Sequence, residues 1–401
     1  MKKNQFLLLY LIFFVLQNNF AQDLPNTNSD YVNQLNTIST SVPFLIIAPD
    51  SRSGAMGDVG VATNPDHNSI HWNASKFAFI EESNGFSLSY TPWLQDLVPE
   101  ISLSYLSGFK RLNSRNTLAA SLRYFSLGEI QFTDNTGQEI SKFNPNEFAI
   151  DGAYAMKLSD NFSMGLAMRY IYSNLTGGIS TPGGGVTKPG KSFATDLSGY
   201  FRTKDFNLSE KDANLALGFN ISNIGNKITY TDGGEEHFLP MNLRIGSNLN
   251  VELDDYNSLS IAFDINKLLV PTPPVYDSIG TNPENIVAGK NPNVSVLQGI
   301  FQSFNDAPGG LREELNELMY SIGAEYWYQN QFAFRGGYFH EHQNKGARKY
   351  FTLGAGLRMN VFSLDMAFLL PATRGVRSPL ANTLRFTMLF DMETFYGTDK
   401  L

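Results

Sequence analysis

Cysteine is absent from the 401 residues, which excludes disulfides and thiol chemistry. Charge is scarce as well. Asp, Glu, Lys and Arg make up 17% of the chain, against ~25% in an ordinary soluble domain. The balance is acidic, with a net charge of -8, which argues against nucleic acid as a partner. Long apolar runs are missing too. Beyond the N-terminus no segment approaches the ~20 uncharged apolar residues of a membrane helix. A membrane, if crossed, is crossed with strands. What the chain has in quantity is aromatic side chains: 31 Phe and 18 Tyr.

The N-terminus reads as a secretory signal. Lys2 and Lys3 precede an apolar run from Phe6 to Leu16, and Ala21 offers a small residue for cleavage. The expected division is therefore 1–21 signal, 22–82 N-terminal extension and hatch, and 83–401 barrel. Residues 42–80 mix Gly, Pro, Asn and Asp with short apolar runs and keep no period.

From Gly85 onward large apolar residues alternate with small or polar ones. In F-S-M-G-L-A-M-R-Y-I-Y-S (162–173), Phe162, Met164, Leu166 and Met168 share one face, and Arg169 lies on the other. About fourteen such segments follow one another, at roughly 85–94, 100–110, 116–129, 147–158, 162–174, 193–202, 214–223, 242–253, 257–268, 319–329, 331–341, 350–360, 362–370 and 382–392. The gaps between them alternate long and short. A soluble sandwich has no reason for this, whereas an outer-membrane barrel has short periplasmic turns and long outer loops. The fold class expected is all-β: a transmembrane antiparallel barrel of about fourteen strands.

The faces follow. A charge in lipid at midplane costs ~2–4 kcal/mol for Arg or Lys, so Arg123, Asp151, Arg169, Asp264, Glu325, Arg335, Arg358, Asp365 and Arg385 are expected to face the lumen. Tyr90, Trp93, Tyr105, Tyr170, Tyr172, Tyr326, Trp327, Tyr328 and Tyr338 lie near strand ends and suit aromatic girdles. A barrel of this size has interior space. The irregular 42–80 segment is expected to fill it as a hatch, entering from the periplasmic side.

The gap 269–318 is far longer than an ordinary connection. Val294, Leu297, Phe301 and Phe304 have helical spacing. A turn at 306–310 follows, then a second short helix with Leu311, Leu315 and Leu318. Either this loop is a lid over the barrel mouth, or it is an arm that presents Phe301 and Phe304 to another protein.

Enzymatic motifs are wanting. Residues 185–192, G-V-T-K-P-G-K-S, match the phosphate-binding loop, but strand alternation follows where that loop requires a helix. His340 and His342 flank Glu341 with no third ligand in view. Glu313-Glu314 and Asp254-Asp255 read as solvated pairs. No enzyme, metal or cofactor is expected.

Several longer runs carry a resemblance. They are P-D-S-R-S-G-A-M-G-D-V-G-V-A-T (49–63), D-H-N-S-I-H-W-N-A-S (66–75), S-F-N-D-A-P-G-G (303–310), I-G-A-E-Y-W-Y (322–328) and P-L-A-N-T-L-R-F (379–386). Together they resemble the PorV (LptO) family, outer-membrane barrels of the type IX secretion system related in fold to the FadL transporters. The resemblance implies about fourteen strands and a hatch, whose candidate residues are Arg52, Asp58, His71, Trp72 and Asn73. It also implies a shuttle that takes cargo with a conserved C-terminal domain from the large SprA/Sov-type translocon barrel to the PorU-type attachment complex. Outer-membrane lipid would surround it. Candidate partner-binding residues on the long loop are Val294, Leu297, Phe301, Phe304, Asp306 and Pro308. The alternative implied by the fold is a FadL-like transporter of hydrophobic small molecules.

Overall fold

The computed structural model describes residues 34–95, 98–133, 136, 138–178, 186–277, 285–372 and 379–392. The signal segment, Gly185 of the phosphate-loop match and part of the long loop (278–284) lie outside these. Fourteen strands form the wall: β1 (Asn84–Pro92), β2 (Ser102–Arg111), β3 (Asn116–Ser126), β4 (Asn146–Lys157), β5 (Phe162–Asn174), β6 (Gly190–Arg202), β7 (Lys211–Gly225), β8 (Asn242–Asp254), β9 (Asn257–Leu268), β10 (Met319–Tyr328), β11 (Phe332–His340), β12 (Lys349–Arg358), β13 (Phe362–Pro371) and β14 (Leu384–Asp391). Each pairs antiparallel with the next, and β1 pairs with β14 from Gly85↔Asp391 to Tyr90↔Phe386. The sheet therefore closes and leaves no free edge, as a lipid environment requires.

The alternation in sequence becomes two surfaces. On β5, Ser163, Ala167, Arg169, Ile171 and Ser173 are buried, while Leu166 and Met168 are 46% and 67% exposed. Large apolar side chains look outward on the other strands too, among them Leu88, Ile150, Phe334 and Leu353. Arg123, Asp151, Arg169, Asp264, Glu325, Arg335, Asp365 and Arg385 are all buried inside. Arg358 shares their face but sits at the mouth, exposed. The turns at 112–115, 158–161, 255–256, 329–331 and 359–361 are short, and the connections at the opposite end are longer, up to 269–318.

Three of the girdle assignments are corrected. Trp93, Tyr105 and Trp327 point inward, because their parity matches buried Thr91, Ser107 and Glu325. Each stacks under a lumenal arginine: Arg385 over Trp93 at 5.9 Å, Arg123 over Tyr105 at 5.4 Å, and Arg358 over Trp327 at 4.6 Å. For the buried Arg123 the ring face gives the desolvated guanidinium partial compensation.

Residues 42–80 fill the lumen, but the direction of entry is the reverse of that expected. Val42, Phe44 and Leu45 pack with Leu103, Phe125 and Ile171 at the long-loop end. At the far end of the segment, the Ile80 carbonyl accepts from Arg111 beside the short 112–115 turn. The chain descends through its own barrel before β1 begins. Period-two reading is blind to this, because the segment has no period.

Candidate functional site: a seated hatch and an external arm

Only short helical turns occur in the hatch, at Pro43–Ile46, Ser51–Gly54, Ser69–Trp72 and Ala74–Phe79. Much of its backbone therefore needs outside partners, and wall side chains supply them. Asp264 accepts from the amides of Gly60 and Val61 at 2.8 and 3.1 Å. Thr352 accepts from the Gly57 amide and donates to the Ala55 carbonyl, both at 2.8 Å. The hydroxyls of Ser107, Thr117 and Ser163 donate to the carbonyls of His67, Phe77 and Ser75.

Wall glycines let the two backbones meet. A Cβ on Gly337 would lie 2.1 Å from the Met56 carbonyl carbon, one on Gly323 2.4 Å from the Met56 oxygen, and one on Gly218 2.2 Å from the Val61 oxygen. These distances are far inside van der Waals contact, so the hatch is fitted against the wall.

The hatch candidates all carry internal bonds. Arg52 bridges Asp66 (2.9 Å) and Glu325 (2.7 Å), and Glu325 continues through Arg335 to Asp365. Asp58 accepts from Tyr350 at 2.5 Å and from Arg385 at 3.1 Å. Trp72 donates its indole N–H to Asp50 at 2.6 Å, under the Arg244 guanidinium. His71 Nδ1 accepts from Arg123 at 2.6 Å. The Asn73 amide ties the Val61 carbonyl of the hatch to Gly199 of the wall. These contacts tie the hatch to itself and to the wall, and Arg52 also borders open space. At the short-turn mouth lies a polar cavity of about 360 Å³, lined by Arg202, Glu252, Ser260 and Arg358 among others.

The long loop carries α1 (Val296–Gln302) and α2 (Leu311–Asn316). Ser295 caps α1 by accepting from the Gln298 amide. The partner candidates divide. Leu297, Phe301 and Phe304 are exposed, Phe301 by 75%. Val294 packs inward with Phe238 and Leu269, and Asp306 and Pro308 are buried.

On α2 the expected faces are inverted. Leu311 and Leu315 are exposed, while Glu313, Glu314 and Glu317 are buried. The reason is two lysines distant in sequence. Lys345 binds Glu313 and Glu317 at 2.6 and 2.9 Å, and Lys267 binds Glu314 and Glu317 at 3.0 and 2.6 Å. Glu314 also accepts from the amides of Asp306 and Ala307. Desolvation, with Glu314 nearby, pushes the Asp306 carboxyl up to about 6. Burial and Glu317 likewise raise Glu314. The arm is thus bolted to the barrel through polar groups and turns an apolar ridge outward.

The phosphate-loop match runs into a strand, as its alternation indicated: β6 begins at Gly190, and Lys188 pairs with Asp232. Glu341, between its two histidines, is held by Arg348 at 2.8 Å.

The family described as type IX secretion system protein PorV has a sequence model that matches residues 30–275. No curated protein matches the chain. Among solved structures, the toluene transporter TodX of Pseudomonas putida is 11% identical over 89% of this chain and 98% of its own, with a TM-score of 0.47. A FadL homologue of Pseudomonas aeruginosa is 12% identical over 89% and 99%, with a TM-score of 0.42. The CymD monoaromatic hydrocarbon channel is 13% identical over 86% and 98%, with a TM-score of 0.47. The closed fourteen-stranded barrel, its N-terminal hatch and the match over 30–275 place this chain in the PorV family of type IX secretion system proteins.

Proposed function

We propose that the protein sits in the bacterial outer membrane and works through its outer surfaces. It receives cargo bearing a conserved C-terminal domain at the SprA/Sov-type translocon and passes it to the PorU-type attachment complex. The observation that carries this reading is the pairing of a filled lumen with an exposed apolar ridge. Leu297, Phe301, Phe304, Leu311 and Leu315 stand out on a segment anchored by buried ion pairs. A soluble face rarely displays such a cluster unless something covers it. The lumen, meanwhile, holds hatch backbone in contact with wall glycines, an arrangement that does not favour passage of a hydrophobic solute. The barrel wall meets lipid and the flank of the translocon, and the barrel conducts nothing itself.

The test is copurification from detergent-solubilised membranes. Phe301→Asp with Phe304→Asp should reduce recovery of translocon and cargo while the barrel keeps its heat-modifiable mobility on gels. Full recovery of both partners with the double variant would remove the arm from the mechanism.

A further inference from the structure

Both ends of an even-stranded barrel ordinarily lie on one side of the membrane, since each pair of strands returns the chain to its start. Here β14 descends to Asp391, which pairs with Gly85 beside the short turns. The N-terminal side of the hatch does not join it. Residues 34–41 cross the opposite mouth. The Asn36 amide N–H donates to the Asn344 carbonyl at 3.0 Å. Its side chain donates to the Pro273 carbonyl at 3.1 Å and to Glu313 at 3.0 Å. The Ser41 amide donates to the Phe238 carbonyl at 3.0 Å. Ile38 packs into the cluster of Phe238, Met241, Leu269 and Val270. Each of these partners belongs to a long connection or its strand end, and Leu35 is 75% exposed.

We propose that the chain threads its own barrel, so that residues 34–41 lie at the cell surface while β14 ends in the periplasm. Residues 34–41 then act as a strap across the outer mouth, tying the arm to its neighbours. The inference rests on the outward orientation of the long loops, which the proposed function shares. Between the two ends the hatch backbone packs against Gly218, Gly323 and Gly337 of the wall.

The strap explains why α2 is held. Glu313 Oε1 accepts from both Lys345 and Asn36, and the Asn36 amide also donates to the Asn344 carbonyl, so strap and 341–348 connection hold the arm's second helix together. A partner that engages the exposed ridge would find the N-terminal segment beside it.

The absence of cysteine gives a clean test. Single variants Leu35→Cys, Val287→Cys in the long loop and Asp255→Cys in the shortest turn are treated on intact cells with a membrane-impermeant maleimide. Leu35→Cys and Val287→Cys should label, and Asp255→Cys should label only after the outer membrane is permeabilised. Labelling of Val287→Cys without Leu35→Cys would overturn the threading and leave the orientation standing. Labelling of Asp255→Cys without Val287→Cys would overturn the orientation and the proposed function with it. For the strap, Asn36→Ala should speed cleavage within 269–318 severalfold when purified protein meets added protease. An unchanged cleavage rate would overturn the strap's hold on the arm.

Discussion

Gly336 and Gly337 are neighbours on β11 with opposite fates, which makes them a matched pair. A methyl group on Gly337 points into the lumen, 2.1 Å from the Met56 carbonyl carbon and 2.3 Å from the Gly57 nitrogen. Ordinary carbon contacts lie near ~3.5–4.0 Å. The hatch backbone would have to retreat by roughly 1.5 Å to restore such contacts. That retreat would pull the Gly57 amide and the Ala55 carbonyl from Thr352, where both bonds are 2.8 Å. Overpacking of this kind costs ~1–3 kcal/mol, and each buried hydrogen bond left unmade adds ~1–3 kcal/mol. Gly337→Ala should therefore lower stability by at least ~3 kcal/mol. A methyl group on Gly336 points outward and meets its nearest side chain, Leu353, at 3.8 Å. Gly336→Ala should change stability by less than ~0.5 kcal/mol. Thermal unfolding of both purified variants in detergent, read by loss of β-sheet circular dichroism and of heat-modifiable mobility, compares them directly. Equal stabilities would refute the claim that hatch and wall are fitted backbone to backbone.

Leu166→Arg puts a charge on the lipid face at a cost of ~2–4 kcal/mol, so it should deplete the protein from the membrane fraction. Arg169→Leu should still insert. It leaves Asp151 and Asp196 without the cation they share at 2.5 and 3.0 Å, so it should unfold at lower temperature. Lys345→Met leaves Glu313 without its cation and Glu317 with Lys267 alone and should cost ~3–5 kcal/mol locally, seen as faster proteolysis within 269–318. The Asp306 carboxyl is raised from 3.8 to about 6, so the native arm binds this proton more readily than an unfolded one. Its stability therefore falls as pH rises from about 4 to about 6. Asp306→Asn keeps an acceptor for the Thr272 amide and removes that loss. It should slow arm proteolysis at pH 7 and leave the rate at pH 4 unchanged.

The wall was readable because one force dominates it. Each strand separates lipid from a polar interior, so period two is imposed residue by residue, and Met168 against Arg169 shows it within a single step. Counting the period-two segments gave the strand number, and the alternation of short and long gaps marked out the two ends of the barrel. Parity also contained the inward aim of Trp93, Tyr105 and Trp327, but placement near strand ends concealed it. The arm was half legible. Helical spacing found Leu297, Phe301 and Phe304, but the burial of Glu313, Glu314 and Glu317 depends on Lys267 and Lys345. No local pattern joins residues so far apart. The hatch was legible as irregular, yet its direction depends on long-range bonds such as Asn36 to Glu313 and Thr387 to Ser51. Those pairings follow from tertiary structure and leave no periodic trace.

The central claim is that the hatch stays seated while the protein does its work outside the barrel. Ser51 of the hatch and Thr387 of β14 are both fully buried, with hydroxyl oxygens 3.1 Å apart. In a chain without cysteine, Ser51→Cys with Thr387→Cys forms the single possible disulfide and locks hatch to wall, which a mobility shift on non-reducing gels verifies. The measurement is cargo reaching the surface of cells that carry the oxidised, locked protein. The account predicts export at the level of the unsubstituted protein. Export lost on oxidation and restored by a reductant would mean that the hatch must move, and would contradict it.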